Sequence, residues 1–165
     1  MLKHRTDAME RQSLVLVVED DPLVRLVTED VLTEAGFRVI EVPNADDALI
    51  VLEARPDIRF VVTDVEMPGT LNGLTLARHV RHRWPQVGIV VCSGRVRPGE
   101  GDLPSGVQFL SKPFIPSELI STVRDMDTDA TFRLPLKAAF NPCPLGQPRH
   151  AASHIPSPAA GISGP

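Results

Sequence analysis

Five short apolar runs, each followed by a stretch of a different period, constrain this chain more than any other feature. They are LVLVV at 14–18, FRVIEV at 37–42, IRFVVT at 58–63, VGIVVCS at 87–93 and VQFL at 107–110. The central runs are continuous rather than alternating, the pattern of strands buried on both faces. Between and after them apolar residues recur at helical spacing: Leu23, Val27 and Val31 flanked by Val24 and Leu32; Ala48, Leu49 and Leu52; Leu74, Ala77, Val80 and Trp84; Leu119, Ile120, Val123 and Met126. Strands alternating with helices pair in parallel through right-handed crossovers, which cover both faces of the sheet. The pattern predicts an α/β fold with a doubly wound, five-stranded parallel sheet and about five helices.

Local chemistry marks the boundaries. Asp21 suits an N-cap, Pro22 the first helical position and Gly36 the stop after the first helix. Asn44 with Asp47 caps the second helix, Pro56 and Pro85 follow the ends of the second and third, and Pro116 opens the last. GRVRPGEGDLPSG, between the fourth and fifth strands, has two prolines and little apolar periodicity, so the helix expected there is short or absent. From 127 onward proline, alanine, serine and glycine dominate without a period. The expected division is a flexible N-terminus at 1–12, a folded domain at 13–126 and a disordered tail at 127–165, too short and too weakly patterned for an output domain.

Charge and targeting narrow the partners. With 17 basic and 21 acidic residues the net charge is −4, and no global field draws the chain to nucleic acid or an anionic membrane. The charged start lacks a signal-peptide core and no apolar run is long enough to span a bilayer, so a cytoplasmic location is expected. Cys92 and Cys143 have no ligand-like spacing; Cys92 reads as a small buried hydrophobe.

In such a sheet ligands bind at the carboxyl ends of the strands. Polar residues collect there: Glu19 and Asp20 after the first strand, Asp64 after the third, Ser93 after the fourth and Lys112 after the fifth. Clustered carboxylates repel unless a cation lies between them, and a small set of hard oxygen ligands suits Mg²⁺. Asp64 then reads as a nucleophile whose charge is held by a metal and a lysine.

VVEDDP, TDVEMPG, VVCSG and FLSKPF, in this order, resemble the receiver domain of two-component response regulators, a single-domain, chemotaxis-regulator-like form, from about Ser13 to Met126. The resemblance implies the flavodoxin-like strand order 2-1-3-4-5. It makes Asp64 the phosphoacceptor, Asp20 a direct Mg²⁺ ligand, Glu19 a ligand mainly through a metal-bound water, and Glu66 a ligand through its backbone carbonyl. It has Ser93 hydrogen-bond the phosphoryl oxygens, Lys112 pair with them across a cis Lys112–Pro113 bond, and Phe109 turn into space that Ser93 vacates. The switched surface is that of the fourth connection, the fifth strand and the last helix. Implied partners are a sensor histidine kinase or a phosphotransfer protein; beyond phosphoryl transfer and autodephosphorylation, no enzyme activity is implied. The turn MPGTLNG is one residue longer than the commonest spacing of the family.

Plainer readings exist for individual residues. Asp64 alone could form a turn, Lys112 could be a solvated loop lysine, Ser93 could simply end a strand, and Phe109 is core in any case. Asp21 reads as a cap rather than a ligand, and Asn72 as a turn residue without function. ARHVRHRWP reads as a solvated basic face complementing a helix C-terminus, with His79 and His82 lacking further ligands nearby. The competing functions are a Mg²⁺-dependent phosphate-ester enzyme and a phosphorylation-independent interaction module.

Overall fold

In a computed structural model of the chain, residues 12–95, 97–99 and 101–128 are described. Strands β1 (Leu14–Val18), β2 (Arg38–Val42), β3 (Ile58–Asp64), β4 (Gly88–Ser93) and β5 (Val107–Ser111) form one sheet in the order β2-β1-β3-β4-β5. Every pairing is parallel. Among the described residues there are four helices: α1 (Pro22–Glu34), α2 (Ala45–Ala54), α3 (Gly73–Arg83) and α4 (Pro116–Thr128). The flavodoxin-like fold is as expected, with four helices in place of about five, because no helix joins β4 to β5 among the described residues.

The continuous runs are buried for the reason their pattern suggests. All five residues of β1 and all six of β4 are buried. One core lies between the sheet and α2 with α3, including Leu16, Val61, Leu76 and Ile89; the other lies under α1 and α4, including Val17, Leu32, Phe60 and Leu119.

The caps are as the sequence suggests. Asp21 Oδ1 accepts hydrogen bonds from the amides of Leu23 (2.8 Å) and Val24 (3.2 Å), with Pro22 opening α1. Gly36 follows Ala35 with φ +93°, a left-handed conformation that favours glycine. Asn44 Oδ1 accepts from Asp47 N at 2.7 Å. The last helix runs two residues past the expected boundary, to Thr128; the rest of the expected tail, and the N-terminus before Gln12, lie outside the described residues.

One helical face lies open, and one expectation needs correction. Leu23, Val24 and Val27 share a helical face but are exposed, at 73, 38 and 60%. Helical spacing places residues on one stripe; it does not supply the element that covers it. The basic run is likewise more than a solvated face. Arg78 donates to Asp102 O (3.0 Å), Arg81 donates to Pro85 O (2.9 Å) and packs under Gly106, and Arg83 pairs with Glu53 (2.7 Å). Arg78 straps the irregular connection to α3 and Arg81 packs against it at Gly106, where a helix packed on the sheet would otherwise hold itself.

Gly73 is the closest packing contact beside the site. A Cβ there would come 1.9 Å from the Asp64 carbonyl oxygen and 3.0 Å from Val65 Cα, both backbone, so nothing nearby can rotate away. Gly73→Ala is expected to cost about 3 kcal/mol in urea unfolding, the upper range of core overpacking. A midpoint like that of the wild type would show that the β3–α3 junction yields.

Candidate functional site

The topology carries Glu19, Asp64, Ser93 and Lys112 to one end of the sheet, across β1, β3, β4 and β5. Register brings Asp64 beside Cys92 and Ser93 beside Ser111, and Lys112 N donates to Ser93 O at 2.8 Å. The Lys112–Pro113 peptide is cis. Lys112 Nζ reaches back over the sheet, 2.9 Å from Glu19 Oε2 and 3.0 Å from Asp64 Oδ2. The Lys112 side chain is one-quarter exposed, while those of Glu19 and Asp64 are 8 and 12% exposed.

Three carboxylates, of Glu19, Asp20 and Asp64, each present an oxygen within 4.8 Å of the others. One ammonium faces them, leaving about two negative charges uncompensated. Burial pushes the Glu19 carboxyl above its usual value, and the hydrogen bond and charge of Lys112 only partly oppose it. Burial alone would pull the Lys112 pKa down, yet its bonds to Glu19 and Asp64 outweigh that and hold the ammonium charged. A divalent cation on hard oxygen ligands matches both the missing charge and the donor set, so these residues fit Mg²⁺.

The remaining residues lie around this centre. Glu66 is exposed, and its amide donates to Asp64 Oδ1 at 3.3 Å. Ser93 is buried at 1% exposure. Phe109 lies opposite Val91, two residues before the Ser93–Ser111 pair, half-buried against the α2–α3 core. Its ring borders an open cavity of about 410 Å³ whose wall includes Arg97, Pro98 and Leu103 of the irregular connection.

Two supporting residues were not singled out from the sequence, and a third was read only as a turn residue. Arg25 Nη1 donates to Glu19 O at 2.8 Å and its Nε lies 3.7 Å from Glu41, tying the acidic loop to α1 and β2. Thr70 Oγ1 lies 3.2 Å from both Asp46 oxygens, tethering the long β3–α3 turn to α2. Asn72, read as a turn residue, caps α3: its Oδ1 accepts from Thr75 N at 2.9 Å. The N-x-x-T spacing of Asn72 and Thr75 was the available signal for the cap; nothing local marks Arg25 or Thr70.

Cys92 lies on the other face of β4, 3% exposed, its thiol pushed up to about 12 by burial, which the Lys112 charge does not offset. It is expected to react with thiol reagents at least about a thousandfold more slowly in the folded protein than in urea at pH 8. Equal rates would mean that β4 opens readily.

Comparison with known proteins agrees with this geometry. The family model of the response regulator receiver domain matches residues 15–124. The hydrogenase transcriptional regulatory protein HoxA of Cupriavidus necator is 36% identical over 121 residues, which cover 70% of this chain and 24% of that protein. The transcriptional regulatory protein AruR of Pseudomonas aeruginosa is 34% identical, over 68% of this chain and 48% of its own length. The chain thus spans about a quarter and about half of these two relatives. Both are named as transcriptional regulators. A response regulator receiver protein from Sinorhizobium medicae superposes with a TM-score of 0.63 at 30% identity, covering 71% of this chain and 95% of that one. No helix among the described residues is long and apolar enough to cross a membrane. A matched stretch that contains all four strand-end motifs, on a sheet of the matching order, makes this chain a member of the response regulator receiver domain family.

Proposed function

We propose that residues 13–128 act as a phosphorylation switch in which Asp64 accepts a phosphoryl group from the phosphohistidine of a sensor kinase or phosphotransfer protein. The observation that carries this is the bridging of Asp64 and Glu19 by one ammonium, Lys112, beside a third carboxylate. Such a site holds excess negative charge at a nucleophile and is completed by a cation and a phosphoryl group.

In the reaction an Asp64 carboxylate oxygen forms the new P–O bond as the P–N bond to the donor imidazole breaks, and the imidazole takes a proton from water. Asp20, Asp64, the Glu66 carbonyl and, through water, Glu19 would hold Mg²⁺, which supplies charge neutralisation on the transferring oxygens. Lys112 Nζ, already 3.0 Å from Asp64 Oδ2, stays with the group as it arrives. Ser93 donates its hydroxyl to a phosphoryl oxygen, and Phe109 moves toward the space this opens, changing the surface around β5 and the irregular connection. The regulator then acts through a protein contact or passes the phosphoryl group on.

The test is intact mass after incubation with a small phosphodonor, with and without Mg²⁺. One Mg²⁺-dependent adduct per chain is expected. Binding of Mg²⁺ without any adduct would shift the assignment to a phosphorylation-independent module, and turnover of a phosphate ester to an enzyme.

A further inference from the structure

Two of the three clustered carboxylates, those of Glu19 and Asp20, sit on the short loop between β1 and α1. Repulsion from Asp64 pushes that loop outward unless its backbone is held. Both peptide groups of Glu19 are held. Its N–H donates to Val42 O of β2 at 3.1 Å, and its C=O accepts from Arg25 Nη1 at 2.8 Å. That carbonyl belongs to the peptide unit shared with Asp20, and a peptide unit is planar, so the Arg25 bond sets the plane from which Asp20 projects.

On the reading of Glu19, Asp20 and Asp64 as a Mg²⁺ site, we propose that Arg25 is a positioning residue for the metal ligands and that Glu41 acts with it as one unit. The guanidinium is anchored on both sides. Arg25 N donates to Asp21 O at 2.9 Å in the first turn of α1, and Arg25 Nε lies 3.7 Å from Glu41 Oε2 on the edge strand β2, opposite Val17. One rigid group thus spans helix, acidic loop and sheet edge. Its side chain is 19% exposed, so the charge-assisted bond to the Glu19 carbonyl is largely shielded from water. A planar guanidinium serves a carbonyl and a carboxylate from two edges in a fixed relation. A lysine ammonium is a point charge on a flexible stem and does not.

Charge and position have opposite consequences here. Arg25 is a cation beside the acidic loop, so loss of its charge alone would tighten Mg²⁺ binding, as expected for Lys112→Ala. Loss of its hold on the loop would weaken binding, because the ion must then gather its own ligands against their repulsion. Arg25→Lys separates the two, since it keeps the charge and gives up the fork. Groups that orient metal ligands from behind typically contribute ten- to a hundredfold in affinity, so Arg25→Lys is expected to weaken Mg²⁺ binding about tenfold. Glu41→Gln leaves the guanidinium in place without its anchor and is expected to weaken binding by less. It should add nothing in the Arg25→Lys background, because Glu41 acts through Arg25.

The test is a Mg²⁺ titration of the full chain followed by the amide shifts of Asp20 and Asp64, joined to amide hydrogen exchange in the metal-free protein. Without metal, the Glu19 and Asp21 amides of Arg25→Lys are expected to exchange about tenfold faster than in the wild type, while those of Val15 and Val62 in the central strands keep their rates. Arg124 supplies the control. Its Nη2 donates to Ala35 O at 3.0 Å, a like bond at the other end of α1, and Arg124→Lys is expected to change neither Mg²⁺ affinity nor exchange at Glu19 and Asp21. Unchanged or tighter Mg²⁺ binding by Arg25→Lys, an equal loss in Arg124→Lys, or additive losses in Arg25→Lys/Glu41→Gln would overturn the proposal while leaving the metal site standing. A wild type that binds no Mg²⁺ would overturn the metal site and this inference with it.

Discussion

Asp64→Asn is expected to take up no phosphoryl group under conditions that fully label the wild type, a change from one adduct per chain to none. The amide keeps the size and one carbonyl oxygen of the carboxylate, so the 3.3 Å contact from Glu66 N survives. Lys112 retains Glu19 at 2.9 Å. What disappears is the nucleophile: an amide oxygen attacks phosphorus poorly, and its charge no longer contributes to cation binding. The fold should be spared, since removing one charge from a cluster of three carboxylates and one ammonium relieves repulsion. Urea unfolding within about 1 kcal/mol of wild type is expected. An adduct on the asparagine variant would place the phosphoacceptor elsewhere, and a collapsed midpoint would make Asp64 structural first.

The backbone plan was more legible than its coverings. Strands could be located to within a residue or so because continuous apolar runs have one low-energy solution, burial on both faces of a parallel sheet. Asp21, Asn44 and Gly36 announced helix ends because each supplies a bond or a dihedral angle that few other residues supply. The site residues could be grouped because strand ends in this topology converge, whatever their separation in sequence. That Lys112 bridges both Glu19 and Asp64 was not readable, since it depends on how a long side chain crosses two strands. Nor was the open stripe at Leu23 and Val27: periodicity encodes a face and leaves its partner unspecified. The strapping by Arg78 was hidden for a related reason, as a basic run looks the same whether its guanidinium groups meet water or a carbonyl of a neighbouring loop.

Lys112→Ala is expected to slow phosphorylation by a small donor by about a hundredfold or more, the scale for losing one charge-stabilising group at a phosphoryl or oxyanion site. It is also expected to disconnect whatever phosphorylation remains from Phe109. In the wild type the ammonium ties β5 to Asp64 and Glu19 at 3.0 and 2.9 Å, so on the proposed function a new phosphoryl group would act on β5 through that one side chain as well as through Ser93. Without it three carboxylates share the site with no resident cation. Mg²⁺ should then bind more tightly, about tenfold, even though transfer is slower, and this opposition separates an electrostatic role from a loss of structure. The pH dependence has a definite sign. The Lys112 pKa is raised in the folded protein, so its stabilisation is complete below the usual lysine value and is lost as pH rises through the folded one; the variant should lack that alkaline loss. The Phe109 and Ser111 amide shifts on phosphorylation are the readout of coupling. If they move in Lys112→Ala as far as in the wild type, the lysine serves transfer alone and the signal passes through Ser93. If Mg²⁺ affinity falls instead, the alanine has deformed the site, and the slower transfer says nothing about charge.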